Sequence, residues 1–350
     1  MELKHLSLPA REGYVELREQ EVRNARLFLL DGKLITNQQE HLKGTSARCY
    51  HNGGWGVASS SEVGSSVSSK LHDKAYLNAQ AMSVFDRSSH ISLPQDSYRG
   101  EHLFQGNAPF TRQETIDWMR KTDAIAKKKY PKLTSTTLGL FEEDHIKSVK
   151  NSFGTECVSN LSRSMYHINL TIQDKNGKPV EMRQPLCCKG SASNLKLTEQ
   201  YLESVIDELY EHLMQKIEAV NAVGGNKQVI IAPQLAGMLA HEAIGHPCEA
   251  DIVQSGAITG GMLNQHVASE LITMVDFAHS YQGEELLVPI YADEEGTPAQ
   301  DVTLIENGVL RGFMHNRESA AEMETHVTGN ARAAQPLDEP IIRMRNTAIL

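Results

Sequence analysis

The residues with the clearest chemical potential are His241, Glu242 and His246, in the run His241-Glu242-Ala243-Ile244-Gly245-His246. Two imidazoles are good ligands for a divalent transition metal, and an adjacent carboxylate can move a proton on and off water. The familiar pattern for this chemistry is H-E-x-x-H, which puts both rings on one helical face. Here the histidines are five residues apart rather than four. On a regular helix five residues sweep about 500°, which leaves the rings about 140° apart. That is too far for both to reach one ion at about 2.0 Å. A one-residue π-bulge restores a shared face. Gly245 has the backbone freedom to make that distortion or to end the helix, and Pro247 blocks ordinary helical continuation. A catalytic zinc site also calls for a third protein ligand. The opposed reading makes both histidines polar residues at a helix end, with Glu242 facing solvent. Glu249 and Asp251 follow the second histidine. They serve either as carboxylates that orient the imidazoles or as a solvated acidic turn.

Such a motif needs elements to carry it. Residues 228–232 read as a short buried strand, followed by Pro233 where the first turn of a helix tolerates proline. From Gln234 the helix is expected to turn Leu235, Met238 and Leu239 inward and deliver His241. Upstream, residues 198–222 carry Leu202, Ile206, Leu209, Leu213, Ile217 and Val220 at helical spacing, ended by Gly224-Gly225. That helix reads as core scaffold. Near the start, strands are expected at 13–17, at 25–30 and 34–36 around the hairpin signal Asp31-Gly32, and at 46–50, which reaches Asn52-Gly53-Gly54 before Trp55-Gly56-Val57-Ala58. A serine-rich stretch, 59–69, reads as a loop, followed by a helix over 73–85. A second helix, 111–128, opens on the capping box Thr111-Arg112-Gln113-Glu114. Further strands are expected at 134–141, 164–173 and 180–183, with a turn at Asn176-Gly177. After the motif come 270–276, 288–292 and a hairpin, 302–305 with 309–314, around Asn307-Gly308. Strands and helices are intermixed without βαβ alternation, which points to the α+β class. The expectation is mixed or antiparallel sheets with several helices, an N-terminal α/β region leading to a β-rich metal-binding region. The divisions expected are 1–131, a central 132–225 that holds the long helix, and 226–350.

The formal net charge is −10, and no Lys/Arg block is present. This argues against nucleic acid or an anionic membrane as the main partner. No run approaches the roughly 20 apolar residues that span a bilayer. The first six residues, from Met1 to Leu6, lack the apolar core of a leader, so a cytoplasmic address is expected. The five cysteines are odd in number and show no C-x-x-C pair, which speaks against a disulfide framework. Cys187-Cys188 is expected to behave as small hydrophobes rather than as a redox or metal feature.

The motif sits in a series of blocks that resembles the TldD/PmbA (TldD/TldE) metallopeptidases, the modulator-of-gyrase type. The blocks are HEAIGHPCEAD (241–251), VASELITMVD (267–276), ADEEGTPAQ (292–300), TLIENGVLRGFMHNRESA (303–320) and TGNARA (328–333). The match is strong from about residue 229 onward and looser before about 130, through Tyr14-Val15-Glu16-Leu17-Arg18 and Gly53-Gly54-Trp55-Gly56. The resemblance implies a cytoplasmic, zinc-dependent peptidase of unfolded or extended peptides. It also implies a homodimer, or a heterodimer with a related subunit. His241 and His246 resemble the metal ligands and Glu242 the catalytic acid/base, which makes this chain similar to the catalytic member. Pro247-Cys248 and Asp293-Glu294-Glu295 depart from the usual residues at their positions. The family's third ligand is a cysteine near the C-terminus, and none of the five cysteines aligns with it. The resemblance therefore leaves two expectations: a peptidase with Glu242 as general base and acid, or a C-terminally truncated, non-catalytic relative that binds a partner or peptide.

Overall fold

The computed structural model describes residues 6–8, 12–85, 91–195 and 197–350. Residues 1–5 of the segment read for a leader lie outside them. The fold is α+β and is dominated by four unusually long strands. In chain order the first elements are β1 (Tyr14–Leu30), β2 (Lys33–His51), β3 (Gly54–Ser60), α1 (Ser65–Ser83), β4 (Arg99–His102) and α2 (Arg112–Lys129). β5 (Ser135–Asn151), β6 (Glu156–Gln173), β7 (Pro179–Lys189) and α3 (Glu199–Ile217) follow. The strands form one sheet in the order β3-β2-β1-β5-β6. β4 lies parallel and β7 antiparallel along successive stretches of the β6 edge. The hairpin turns at Asp31-Gly32 and Asn52-Gly53 are where the sequence puts them, and all four residues have positive φ.

At about 3.3 Å per residue, a 17-residue strand such as β1 is roughly 56 Å long, more than one helix can cover. Two helical layers therefore share one face. Val15, Leu17, Ala47, Cys49 and Ala58 pack under Leu71, Ala75 and Ala79 of α1. Further along, Leu27, Leu29, Leu138, Leu140, Ile168 and Leu170 pack under Ile116 and Met119 of α2 and Leu202, Ile206 and Leu209 of α3. Gly56 lets α1 settle on β3, since a Cβ there would stand 2.1 Å from Ala75 O. The capping box of α2 forms: Thr111 accepts the Glu114 N–H, and Glu114 returns a bond to the Thr111 backbone.

The remaining chain packs against the opposite face. It contains α4 (Pro233–Leu239), a π turn (Ala240–Gly245), a 3-10 turn (His246–Cys248) and α5 (Ala250–Gln254). β8 (Met274–Phe277), β9 (Ser280–Tyr281), β10 (Glu284–Glu285), β11 (Val302–Glu306) and β12 (Val309–Leu310) come next. α6 (Arg317–Glu322), β13 (Ala331–Arg332), β14 (Ile341–Ile342) and β15 (Asn346–Ile349) complete it. A four-stranded sheet, β12-β11-β8-β15, holds its core with Leu304, Ile305, Leu310 and Met314. At its centre is the fully buried pair Asp276–Arg345, with Nε to Oδ2 at 2.9 Å. Asp276 also accepts the Arg345 and Asn346 backbone N–H groups, while the Arg345 guanidinium reaches the carbonyls of Thr328, Gly329 and Gln300.

Several local expectations are corrected. The polar middle of β1 does not break the strand, because it pairs with β2 on one side and β5 on the other throughout, and Glu16, Arg18 and Gln20 are buried. Half of the serine-rich stretch is helix: α1 starts at Ser65, where the Ser68 hydroxyl bonds back to Gly64 O. α3 stops at Ile217, near the last buried contact at Leu213, and Val220 is 90% exposed. Residues 228–232 form no strand, and Ile230 is fully exposed; among the described residues no strand forms a ladder with them. Leu235, Met238 and Leu239 face outward, and Ala240 and Gly245 are the buried side of that helical segment. Residues 288–292 hold only an isolated bridge, Ala292 with Pro298, because Pro289 has no N–H for a ladder.

Removing one partner of the Asp276–Arg345 pair leaves an uncompensated buried charge. Asp276→Ala should cost about 3–5 kcal/mol, seen as a lower denaturant midpoint; a loss under 1 kcal/mol would refute the role given to the pair. Burial also pushes the His315 imidazole down to about 4 from an ordinary 6.5. Its neutral form is favoured by folding, so the stability it contributes is present above pH 6.5 and is lost as pH falls toward 4. The thermal midpoint should drop across that window, and His315→Gln should flatten the drop, by at most roughly 3 kcal/mol.

Candidate metal centre

Pro233 occupies the first turn of α4, where its missing N–H costs nothing. The helix runs regularly to Leu239 and then widens. Through the next turn the His246 N–H donates to His241 O, a bond that spans five residues instead of four. That widening brings the two histidines onto one side, as the five-residue spacing requires. Their ring centroids are 4.7 Å apart at an interplanar angle of 79°. Gly245 makes the close packing possible, since a Cβ there would stand 2.1 Å from Met344 Sδ and 3.1 Å from Ala240 O. His241 and Glu242 are exposed, and the His246 side chain is 43% exposed. Both rings therefore lie at the surface, with Glu242 next to the first.

The two carboxylates beyond the motif separate in role. Glu249 is buried, with Oε1 3.3 Å from His246 Nδ1 and Oε2 accepting a 3.3 Å hydrogen bond from Arg343 Nη1. Burial pushes its carboxyl up, while His246 and Arg343 pull the other way. Asp251 turns instead to the backbone, accepting the Ile252 N–H at 2.9 Å, and belongs to the start of α5. The segment between is pinned to the sheet region: Ala250 N–H donates to Met314 O and Met314 N–H to Cys248 O.

Cys248, the cysteine nearest the motif, is fully buried in the core, and burial pushes its thiol up to about 12. A thiol so held is no ready ligand. Cys187 is exposed on β7 and Cys188 half-buried, as neighbours on a strand face opposite ways. Among the described residues no three His, Cys, Asp or Glu side chains are grouped to hold an ion. The donor set that the fold assembles is the imidazole pair, a chemistry that suits zinc. Arg343 carried no signal in the sequence, because it joins Glu249 from 94 residues away.

Two family models match the chain. The PmbA/TldA metallopeptidase C-terminal domain covers residues 224–350 and PmbA/TldA metallopeptidase domain 1 covers 15–75, together more than half of the chain. A metalloprotease of Methanocaldococcus jannaschii is 26% identical over 350 residues, covering 96% of this chain and 73% of the relative. A zinc metalloprotease TldD homologue of Saccharolobus solfataricus is 25% identical, covering 96% and 72% respectively. The fold is shared with TldE of Thermococcus kodakarensis, at a TM-score of 0.69 and 19% identity, over 96% of this chain and 74% of that one. No helix among the described residues is long and apolar enough to cross a membrane. On the two domain matches and these relatives, the chain belongs to the PmbA/TldD family of metallopeptidases.

Proposed function

We propose that this chain is a zinc-dependent peptidase of unfolded or extended peptides, with His241 and His246 as metal ligands and Glu242 as general base and acid. The observation that carries the reading is the π turn, which puts both rings on one side and leaves Glu242 beside them. Zinc held there supplies a Lewis-acid centre that polarises a peptide carbonyl and makes water more acidic. The Glu242 carboxylate takes a proton from the attacking water and delivers it to the departing amide nitrogen. Its exposure leaves it within reach of substrate. β15, the terminal strand of the four-stranded sheet, packs beside α4 and the π turn. An extended peptide added along its open edge would run past the histidines. Pairing with a second copy or a related subunit fits the apolar side chains that 229–239 expose, Val229, Ile230, Leu235 and Met238 among them.

A second reading, of a relative that binds peptide or partner without cleaving, is favoured by the two-imidazole donor set and the buried Cys248. Metal analysis and cleavage together separate the two. On the first reading, the purified chain retains zinc, His241→Ala and His246→Ala lose it, and Glu242→Ala keeps it. Cleavage of an unfolded polypeptide by Glu242→Ala should then fall by at least about 10²-fold. A chain that binds peptide yet neither retains zinc nor cleaves decides for the second reading. Cleavage undiminished in Glu242→Ala removes the role given to that residue.

A further inference from the structure

We infer that Glu249, held by Arg343, is the positioning residue that fixes the orientation and tautomer of His246, and so sets how strongly the site binds metal. The inference rests on the reading of His246 as a ligand, but its first test does not.

Glu249 is 1% exposed, which is unusual for a carboxylate without a fully buried counter-ion. One oxygen, Oε2, accepts the Arg343 hydrogen bond. The other, Oε1, is sealed from solvent and has no aligned protein donor, although His246 Nδ1 stands 3.3 Å away. A buried carboxylate oxygen in that position draws the nearby N–H onto itself, and a modest turn of the ring aligns it. With the proton on Nδ1, the lone pair of His246 is on Nε2, the nitrogen directed away from Glu249. This is the arrangement in which a ligating histidine is pre-set by a carboxylate behind it. Asp251, the other candidate, is committed to the Ile252 N–H.

The carboxylate is itself held on both sides. Its backbone N–H donates to His246 O, and a parallel bridge joins it to Met314. Arg343 is fixed through its backbone: its N–H donates to Asn330 O and its carbonyl accepts from Asn330 Nδ2. That same Asn330 Nδ2 also donates to Asp276, so the contact behind the histidine is anchored to the buried Asp276–Arg345 pair. Arg343 is half-exposed, and it therefore steadies Glu249 without neutralising it completely.

Two measurements test this. In the metal-free, unsubstituted chain with 15N-labelled histidine rings, the His246 signals, assigned by their loss in His246→Ala, should show the Nδ1–H tautomer at neutral pH. Zinc affinity, by competition with a chromophoric chelator, should fall about 10–100-fold in Glu249→Ala. Glu249→Gln, which keeps an acceptor oxygen, should recover part of it. An Nε2–H tautomer in the unsubstituted chain overturns the inference. So does a folded Glu249→Ala chain that binds zinc within about twofold of the parent. The tautomer needs neither metal nor a substitution at 249. An Nε2–H result overturns the inference even where Glu249→Ala fails to fold, and even where the parent chain holds no zinc.

Discussion

The structure depends on a set of charges buried between the long-stranded sheet and the C-terminal region. Arg48 on β2 reaches Glu295 at 3.0 Å and Glu16 at 3.5 Å, all but sealed from solvent. Lys147 on β5 bonds Glu294. Arg317 donates its backbone N–H to Glu295 Oε2, and Asn151 and Tyr14 bond the Glu295 carbonyl. Burial alone would push the Glu294 carboxyl up, but Lys147, with Arg332 and Arg18, outweighs burial and holds it below the ordinary range. Glu16 does not escape in the same way: burial is its largest influence and its carboxyl is raised. Buried ion pairs of this kind are weak evidence of net stability. What they impose is alignment. In the observed register Glu294 meets Lys147, Glu295 meets Arg48, and Asp293 accepts the backbone N–H groups of Glu295, Thr297 and Ala331, which ties the Asp293-Glu294-Glu295 segment to the sheet at defined positions.

That constraint explains the unusual length of the strands. A strand with one apolar face and one polar face normally exposes the polar one. Here Glu16, Arg18 and Gln20 alternate with Val15, Leu17 and Glu19, yet the whole run is buried. One face of β1 is covered by α1 and the other by the charge lattice. Further along, Leu27 and Leu29 are covered by α2 and α3. Between these two covered stretches Arg23 and Arg26 are exposed, and there the strand is carried by its ladders to β2 and β5 on either side.

The same point divides what the sequence makes legible from what it does not. Turns at Asp31-Gly32, Asn52-Gly53 and Asn307-Gly308, the capping box at Thr111 and the buried stripe from Leu202 to Leu213 are local, and they form as read. The need for a π turn was also local, since it followed from the spacing of His241 and His246 and from Gly245. Residues 228–232 and the outward faces of Leu235, Met238 and Leu239 depart from the expectation because apolar composition does not by itself bring burial. Burial is decided by what packs against a segment, and composition does not report that. Arg343 and Asn330, which stand behind the imidazole pair, are illegible in the sequence for the same reason: their partners are 94 and 54 residues away.

A π turn is a poor helix, and it persists only where its surroundings hold it. Ahead of it, α4 is seven residues long and exposes its apolar side chains, too little to impose geometry on the turn that follows. The restraint comes from behind. Gly245 is pressed against Met344, and Cys248 and Ala250 are bonded to Met314. Met344 lies between Arg343 and Arg345, one bonded to Glu249 and the other locked to Asp276. The irregular turn that pairs the histidines is therefore held by the stretch Arg343–Arg345, remote in sequence and rigid in the core. A site that must present two imidazoles at the surface in one fixed relation gains from this arrangement. The rings stay open to solvent, while Gly245, Cys248, Glu249 and Ala250, which fix the turn behind them, are buried.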